Sequence, residues 1–252
     1  MKVNKYNKKD FLDFVFNDKE GFLEKLNTPE ALIIREFYPS EKIHELRNLC
    51  FDRGIISVST WHPLKEGCPD YHRLHDNYPR AYVKQKFHAF YHHGYLKENE
   101  ELFQYFSEIF ELKNYLSDAV YSTKGVPLEK LVARINVHHY PVGGGYQAEH
   151  IDPARDFARI QTLICASKKG VDFQNGGVFG RMEKGGVKYY LDDYLEPGDL
   201  LVISPDIHHG VDPIDPSEPY SWDKNTGRWM ILPLFVTSDY NWEDNIKPKQ
   251  VS

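Results

Sequence analysis

The period of the apolar positions changes once along this chain. From Lys8 to about Leu26, Phe11, Leu12, Phe14, Val15, Phe22, Leu23 and Leu26 recur at spacings of three, four and seven, which predicts an amphipathic helix that Gly21 divides in two. Ala31 to Phe37 reads as a strand. Ser40 then caps a helix whose Ile43, Leu46 and Leu49 face inward and which Gly54 ends. Between Leu96 and Leu116 a second apolar helical face carries Leu102, Phe103, Tyr105, Phe106, Ile109 and Phe110, suited to covering a sheet. Thr60 to Pro79 mixes Trp, His, Pro, Gly, Asp and Tyr without periodicity and predicts a long surface loop of the kind that serves as a lid.

After Gly125-Val-Pro127 the pattern becomes short β-type runs. Strands are predicted near Leu131 to Tyr140, Ala158 to Ala166, Gly177 to Met182, Val187 to Leu191, Leu200 to Ser204 and Gly227 to Val236, separated by Gly, Pro, Asp or Asn. Evenly spaced short strands suggest a sandwich or barrel. The expected fold class is therefore mainly β with flanking α-helices, the N-terminal helices packed on one face of the β core. No Gly/Ser/Pro-rich linker separates the halves, so residues 1–252 are expected to form a single domain: a helix-rich part with a substrate-side loop over 1–126, then a β core over 127–240.

With 41% apolar and 27% charged residues the chain can bury a sizeable core. A net charge of -6 and a pI near 6.1 speak against a broad basic surface for nucleic acid or anionic membrane. The N-terminal MKVNKYNKKDFLDF has no apolar stretch of a secretory signal, and no segment reaches the roughly 20 apolar residues of a spanning helix. A cytoplasmic location is expected. Cys50, Cys68 and Cys165 are odd in number and contain no Cys-x-x-Cys pair, which predicts reduced thiols rather than a disulfide framework. Nothing in the sequence bears on oligomeric state.

Candidate chemistry lies in the second half. His150 and Asp152 in Glu-His-Ile-Asp are two apart, so in extended backbone both side chains leave one face and can share an ion. A lone His-x-Asp is common by chance, but more surrounds it. Glu196-Pro-Gly-Asp199 feeds an apolar strand that leads to His208-His209-Gly-Val, so that a third ligand could come from a different strand. Further on, Arg228 opens the apolar run Trp229 to Val236. An arginine there is costly unless paired with an anion, and its planar fork suits a carboxylate. Two imidazoles and a carboxylate can occupy three adjacent positions of octahedral Fe(II), leaving three open. The strand Arg134-Ile-Asn-Val-His-His-Tyr140 alternates Arg134, Asn136, His138 and Tyr140 against apolar neighbours, as the lining of a wet pocket would. Gly143-Gly-Gly145 lacks the spacing of a phosphate cradle and reads as a hairpin that brings Tyr146 and Gln147 near the metal.

The ordered set His-x-Asp, Pro-Gly-Asp, His-Gly-Val and Gly-Arg, over about Leu131 to Val236, resembles the Fe(II)/2-oxoglutarate-dependent dioxygenases. The resemblance implies a double-stranded β-helix (jelly roll) core, a relative of the cupins. It implies His150, Asp152 and His209 as iron ligands, the last chosen over His208 because the ligand directly precedes Gly-Val, and Arg228 on the distal carboxylate of 2-oxoglutarate. Tyr140 and His138 resemble positions that contact 2-oxoglutarate. Fe(II), 2-oxoglutarate and O2 would be consumed or held in hydroxylating an unactivated C-H, with succinate and carbon dioxide released. The carboxylate of Asp152 speaks against halogenation.

For substrate, the compact chain and acidic balance favour a small molecule such as an amino acid or related metabolite, with Arg80, Arg134, Asn136, Tyr146 and Gln147 as candidate contacts; Arg73 and several histidines of residues 60–93 are weaker ones. Side-chain hydroxylation of a protein or peptide is the alternative within the same chemistry. A cupin-like binding protein without turnover, or a zinc hydrolase using the same ligands, is the alternative from outside it, and neither gives Arg228 a role.

Overall fold

The computed structural model describes residues 1–56, 70–74 (main chain only), 83–124, 131–152 and 157–237. Among the described residues there are twelve strands: β1 Lys2–Asn7, β2 Glu30–Arg35, β3 Asp70–Leu74, β4 Gln85–His93, β5 Leu131–Pro141, β6 Gly145–His150, β7 Gln161–Cys165, β8 Gly177–Arg181, β9 Tyr189–Tyr190, β10 Leu200–Ile203, β11 His208–Ile214 and β12 Gly227–Thr237. They join in the order β1-β2-β10-β7-β12-β5-β4-β6-β11-β8-β9, with β3 alongside β4. β4 is the corner strand: residues 88–93 pair with β5, while Gln85 and Lys86 pair with Gln147 and Tyr146 of β6. The sheet thus curls into a major wall, β1 to β4 in that order, and a minor wall of β6, β11, β8 and β9. This is the jelly-roll core expected from the sequence.

The five helices, α1 Lys8–Asn17, α2 Lys19–Leu26, α3 Ser40–Ile56, α4 Glu100–Tyr105 and α5 Ser107–Leu116, contribute Phe11, Phe22, Ile43, Phe106 and Phe110 to one core that also takes Leu32, Ile34, Ile135, Val137, Trp229 and Ile231 from the major wall. The alternate residues Ala31, Ile33, Tyr140, Met230 and Leu232 enter a second core between the two walls. Strands covered on both faces read as unbroken apolar runs, which is why β2 and the middle of β12 carry no polar alternation.

Several expectations are corrected. The first helical stretch divides at Asp18, not Gly21: Asp18 closes α1 and caps α2, its carboxylate accepting from the Gly21 N–H at 3.0 Å. Gly21 is small because of that cap, since a Cβ there would stand 2.2 Å from Asp18 Oδ2. Helix α3 runs past Gly54 to Ile56, with Gly54 letting it approach His88 of β4, and Leu49 is 68% exposed. Ser40 lies inside α3 rather than before it, and the Pro39 carbonyl accepts from Ile43 N–H. Residues 70–74 of the expected loop form β3, paired with β4; the rest of that stretch, with His75 and Arg80, lies outside the described residues, as do the side chains of His72 and Arg73. His88 and His93, among the weaker candidate contacts, are buried strand residues of β4 and do not line the cavity described below.

His139 sits at the centre of the outer core, stacked on Trp229 with ring centroids 4.1 Å apart and donating Nε2–H to the Thr226 carbonyl at 2.9 Å. Burial pushes its imidazole down to about 3 from an ordinary 6.5. The unfolded chain therefore takes up a proton below pH 6.5 that the folded chain refuses until about pH 3, so stability is full above pH 6.5 and falls as pH drops through that window. At pH 5 this one group is expected to cost about 2 kcal/mol relative to neutrality. Denaturant unfolding of His139→Phe between pH 7 and 5 should show a shallower acid slope than wild type. Parallel slopes would contradict the assignment.

Candidate metal centre and cavity

Strand register, rather than chain proximity, assembles the centre. β11 lies antiparallel between β6 and β8, and its first pairing with β6 sets His209 directly opposite His150. Residues opposite one another on adjacent strands hold their Cβ atoms roughly 5 Å apart, and here the imidazole centroids are 4.4 Å apart. Asp152 follows His150 by two and is tied to the loop before β11 by its own N–H, which donates to the Pro205 carbonyl at 3.1 Å. Its carboxylate lies 3.7 Å from His150 Nε2 and 3.3 Å from His209 Nε2. One ligating atom from each of the three residues falls within 4.8 Å of the others.

The outer nitrogen of each imidazole settles its tautomer. His150 Nδ1 faces the Ala148 carbonyl and His209 Nδ1 the Ile207 carbonyl, both at 2.8 Å. A carbonyl can only accept, so Nδ1 carries the proton and the neutral ring turns its Nε2 lone pair inward, as metal-bound histidines do. The two Nε2 atoms and the Asp152 carboxylate converge as the donor set of a divalent cation would. Burial, then the neighbouring His209, lowers the His150 pKa and favours the neutral ligand form. Burial works to raise that of Asp152, but hydrogen bonds and the charges of its neighbours hold it below the usual carboxylate range.

The three residues line a cavity of about 230 Å³ between the two walls. Its lining mixes polar residues, Arg134, Asn136 and His138 from β5, Gln147 from β6 and Gln161 from β7, with apolar ones, Leu163, Val178, Val211, Met230, Leu232, Leu234 and Val236. Arg134 stacks over the Tyr91 ring, its guanidinium carbon 4.2 Å from the centroid. Arg228 and Tyr140 do not line the cavity but continue its rows at the closed end, paired across β12 and β5 two residues beyond Met230 and His138. Both are fully buried. Arg228 Nε donates to Asp192 Oδ2 at 2.7 Å, its Nη1 is buried with no hydrogen-bond partner among the described residues, and Tyr140 donates its hydroxyl proton to Gln147 Oε1 at 3.0 Å. Burial opposes the charge of Arg228, and Asp192 more than offsets it.

Of the residues singled out from the sequence, the structure brings His150, Asp152, His209, His138, Arg134, Asn136 and Gln147 to one cavity, with Arg228 and Tyr140 behind it. Tyr146 is not among the lining residues, because it alternates with Gln147 along β6, and Arg80 lies outside the described residues. His208 turns to the opposite side of β11 from His209, toward Glu149. Three participants have no sequence signature of a site. Gln161 donates its amide to Asp152 Oδ2, and Asp192 holds Arg228. Lys113 of α5 donates Nζ–H to the Ile160 carbonyl at 3.1 Å, and burial pulls it down to about 7 against the pull of the Asp152 charge. Lys113 was detectable in part, because it falls in the stripe with Ile109, Phe110 and Leu116 that α5 buries.

No protein-family model matches this sequence, and no curated protein matches it by sequence. Its fold is matched by solved structures. A prolyl-4-hydroxylase of Pseudomonas putida is 16% identical with a TM-score of 0.52, over 85% of this chain and 96% of its own. A prolyl hydroxylase from Trichoplax adhaerens, solved in complex with a hypoxia inducible factor oxygen degradation domain peptide fragment, is 14% identical with a TM-score of 0.53, over 91% and 94%. JOX2 in complex with 2OG, Fe and JA is 11% identical with a TM-score of 0.51, over 93% and 75%. What is shared at these identities is the fold alone.

Gln161 offers a direct test of the centre. Asp152 keeps its place through that amide, and groups that orient ligands typically govern metal affinity by roughly 10- to 100-fold. Gln161→Leu is expected to weaken Mn(II) binding within that range in a chelator competition, with little change in melting temperature. Unchanged affinity would show that the amide does not orient the carboxylate.

Proposed function

We propose that the protein is an Fe(II)- and 2-oxoglutarate-dependent oxygenase that hydroxylates a small molecule, with an amino acid or related metabolite as first candidate, acting in the cytoplasm and built as one domain over residues 1–252. The observation that carries the reading is the convergence of His150 Nε2, His209 Nε2 and an Asp152 oxygen at one wall of the cavity. The donor set fits: two neutral imidazoles and one carboxylate suit Fe(II) and leave coordination positions for a chelating co-substrate and dioxygen. The buried, unpartnered Nη1 of Arg228 fits the remote carboxylate of 2-oxoglutarate, since a buried N–H without an acceptor is costly until a ligand supplies one.

In this reading His150, Asp152 and His209 hold the metal, Arg228 receives the remote carboxylate, and Tyr140 and His138 flank the co-substrate. Bound there, Fe(II) with 2-oxoglutarate and dioxygen would supply the oxidising power for C–H hydroxylation, the co-products being succinate and carbon dioxide. The protein's part is placement. The carbonyls of Ala148 and Ile207 fix both rings, Gln161 fixes the carboxylate, and Leu163, Met230, Leu232 and Leu234 exclude water beside the reacting C–H. Arg134, Asn136 and Gln147 are the groups that would orient a polar substrate.

Succinate formation from 2-oxoglutarate by anaerobically iron-loaded protein, followed after oxygen is admitted, tests the proposal. A panel of amino acids, related metabolites and short peptides should contain a compound that stimulates turnover, and Asp152→Ala should reduce the signal to background. Stimulation by peptides alone would move the substrate to a polypeptide side chain. Absence of succinate together with absence of 2-oxoglutarate binding would leave a metal-binding protein without this chemistry.

A further inference from the structure

Among the described residues Asp192 is the acidic side chain seated on the arginine behind the cavity, and the chain is shaped around it. It opens the short 3-10 turn Asp192–Tyr194 after β9. Its Oδ2 accepts two N–H groups at once, from Val178 of β8 at 2.6 Å and from Nε of Arg228 in β12 at 2.7 Å. The side chains of this pair are 4% and 2% exposed. Gly177 makes the niche: its φ of +111 is a conformation that side chains rarely adopt, and a Cβ there would stand 2.4 Å from Asp192 Oδ2.

A guanidinium is a rigid planar fork with an Nε edge and an edge formed by its two terminal nitrogens. Asp192 occupies the first. The second retains a buried Nη1 with no partner among the described residues, on the strand face that Met230 and Leu232 continue into the cavity. A tie between β8 and β12 would account for the ion pair but not for the donor left over. We infer that Asp192 is a positioning residue that, by holding the Nε edge of Arg228, aims its terminal edge at the closed end of the cavity as a seat for a carboxylate, and so makes the site prefer a dicarboxylic 2-oxo acid to one that ends in a methyl group. This rests on the function proposed above. Because the Arg228–Asp192 pair is neutral as a whole, the preference comes from directed N–H bonds rather than from surplus positive charge.

The test is equilibrium dialysis, under anaerobic conditions, of 2-oxoglutarate and of 2-oxovalerate, its analogue with a terminal methyl, against iron-loaded protein. Both acids can chelate a metal through the same end, so only the remote end differs. Asp192→Ala is expected to weaken 2-oxoglutarate binding by about 10-fold or more, the worth of a hydrogen bond to a charged group, and to leave 2-oxovalerate unchanged. Asp192→Asn, whose side-chain oxygen can accept both N–H groups, should restore affinity for 2-oxoglutarate. Should Asp192→Ala not fold, Asp192→Ser, too short to reach Nε, takes its place with the same expectations. The inference is overturned if the shortened variant binds 2-oxoglutarate as wild type does, if it loses both acids equally, or if the asparagine variant is equally impaired. Failure of the wild-type protein itself to bind 2-oxoglutarate would instead remove the function proposed above, and this inference with it.

Discussion

Three hydrogen-bond acceptors are made to face one another at the wall of a cavity, and the rest of the structure serves to keep them there. Left alone, the inward lone pairs of His150 and His209 and the carboxylate of Asp152 would swing apart toward water. Strand pairing opposes this for the rings, which sit at one register position of β6 and β11. The backbone carbonyls of Ala148 and Ile207 oppose rotation about the side-chain bonds, and Gln161 restrains the carboxylate. A centre held this firmly before an ion arrives loses little further freedom on binding it.

That arrangement needs two walls at a fixed spacing. The major wall is clamped from outside by the helices, through Phe11, Phe22, Phe106 and Phe110 packed against Ile135, Val137, Trp229 and Ile231. The turn before β10 is locked by Asp199, which accepts from Arg35 and from the N–H groups of Glu36 and Glu196. At the closed end the walls meet through Asp192, which is bonded to Val178 on the minor wall and to Arg228 on the major one. The polar residues of β5 can point inward because they line a cavity rather than dry core, and the leucines of β12 beside them supply apolar surface.

How much of this was legible in the chain depended on which face each strand shows. β2, β5, β7, β8, β10 and β12 bury apolar residues and were found, as was the short β9. β4 was not, and β6 and β11 were read only as extended segments that carry the ligands, without bounds, because Gln147, His150 and His209 face the cavity and break the apolar runs. β1 escaped for a different reason: it is an edge strand, parallel to β2, with much of its length exposed. His150, Asp152 and His209 could be picked out because ligand chemistry restricts residue type and spacing. Gln161 and Asp192 act through hydrogen bonds that only the fold brings together, and any sequence contains many such residues with nothing to mark them; Lys113 is marked only by its place in the buried stripe of α5.

The most direct measurement is a crystal structure of the protein grown anaerobically with Fe(II) and 2-oxoglutarate. The account predicts one ion bound by Nε2 of His150, Nε2 of His209 and the Asp152 carboxylate, chelated by a 2-oxo acid whose far carboxylate meets the terminal nitrogens of Arg228 while Asp192 stays on Nε. An ion held elsewhere, or a 2-oxo acid lying in the cavity without reaching Arg228, would contradict it.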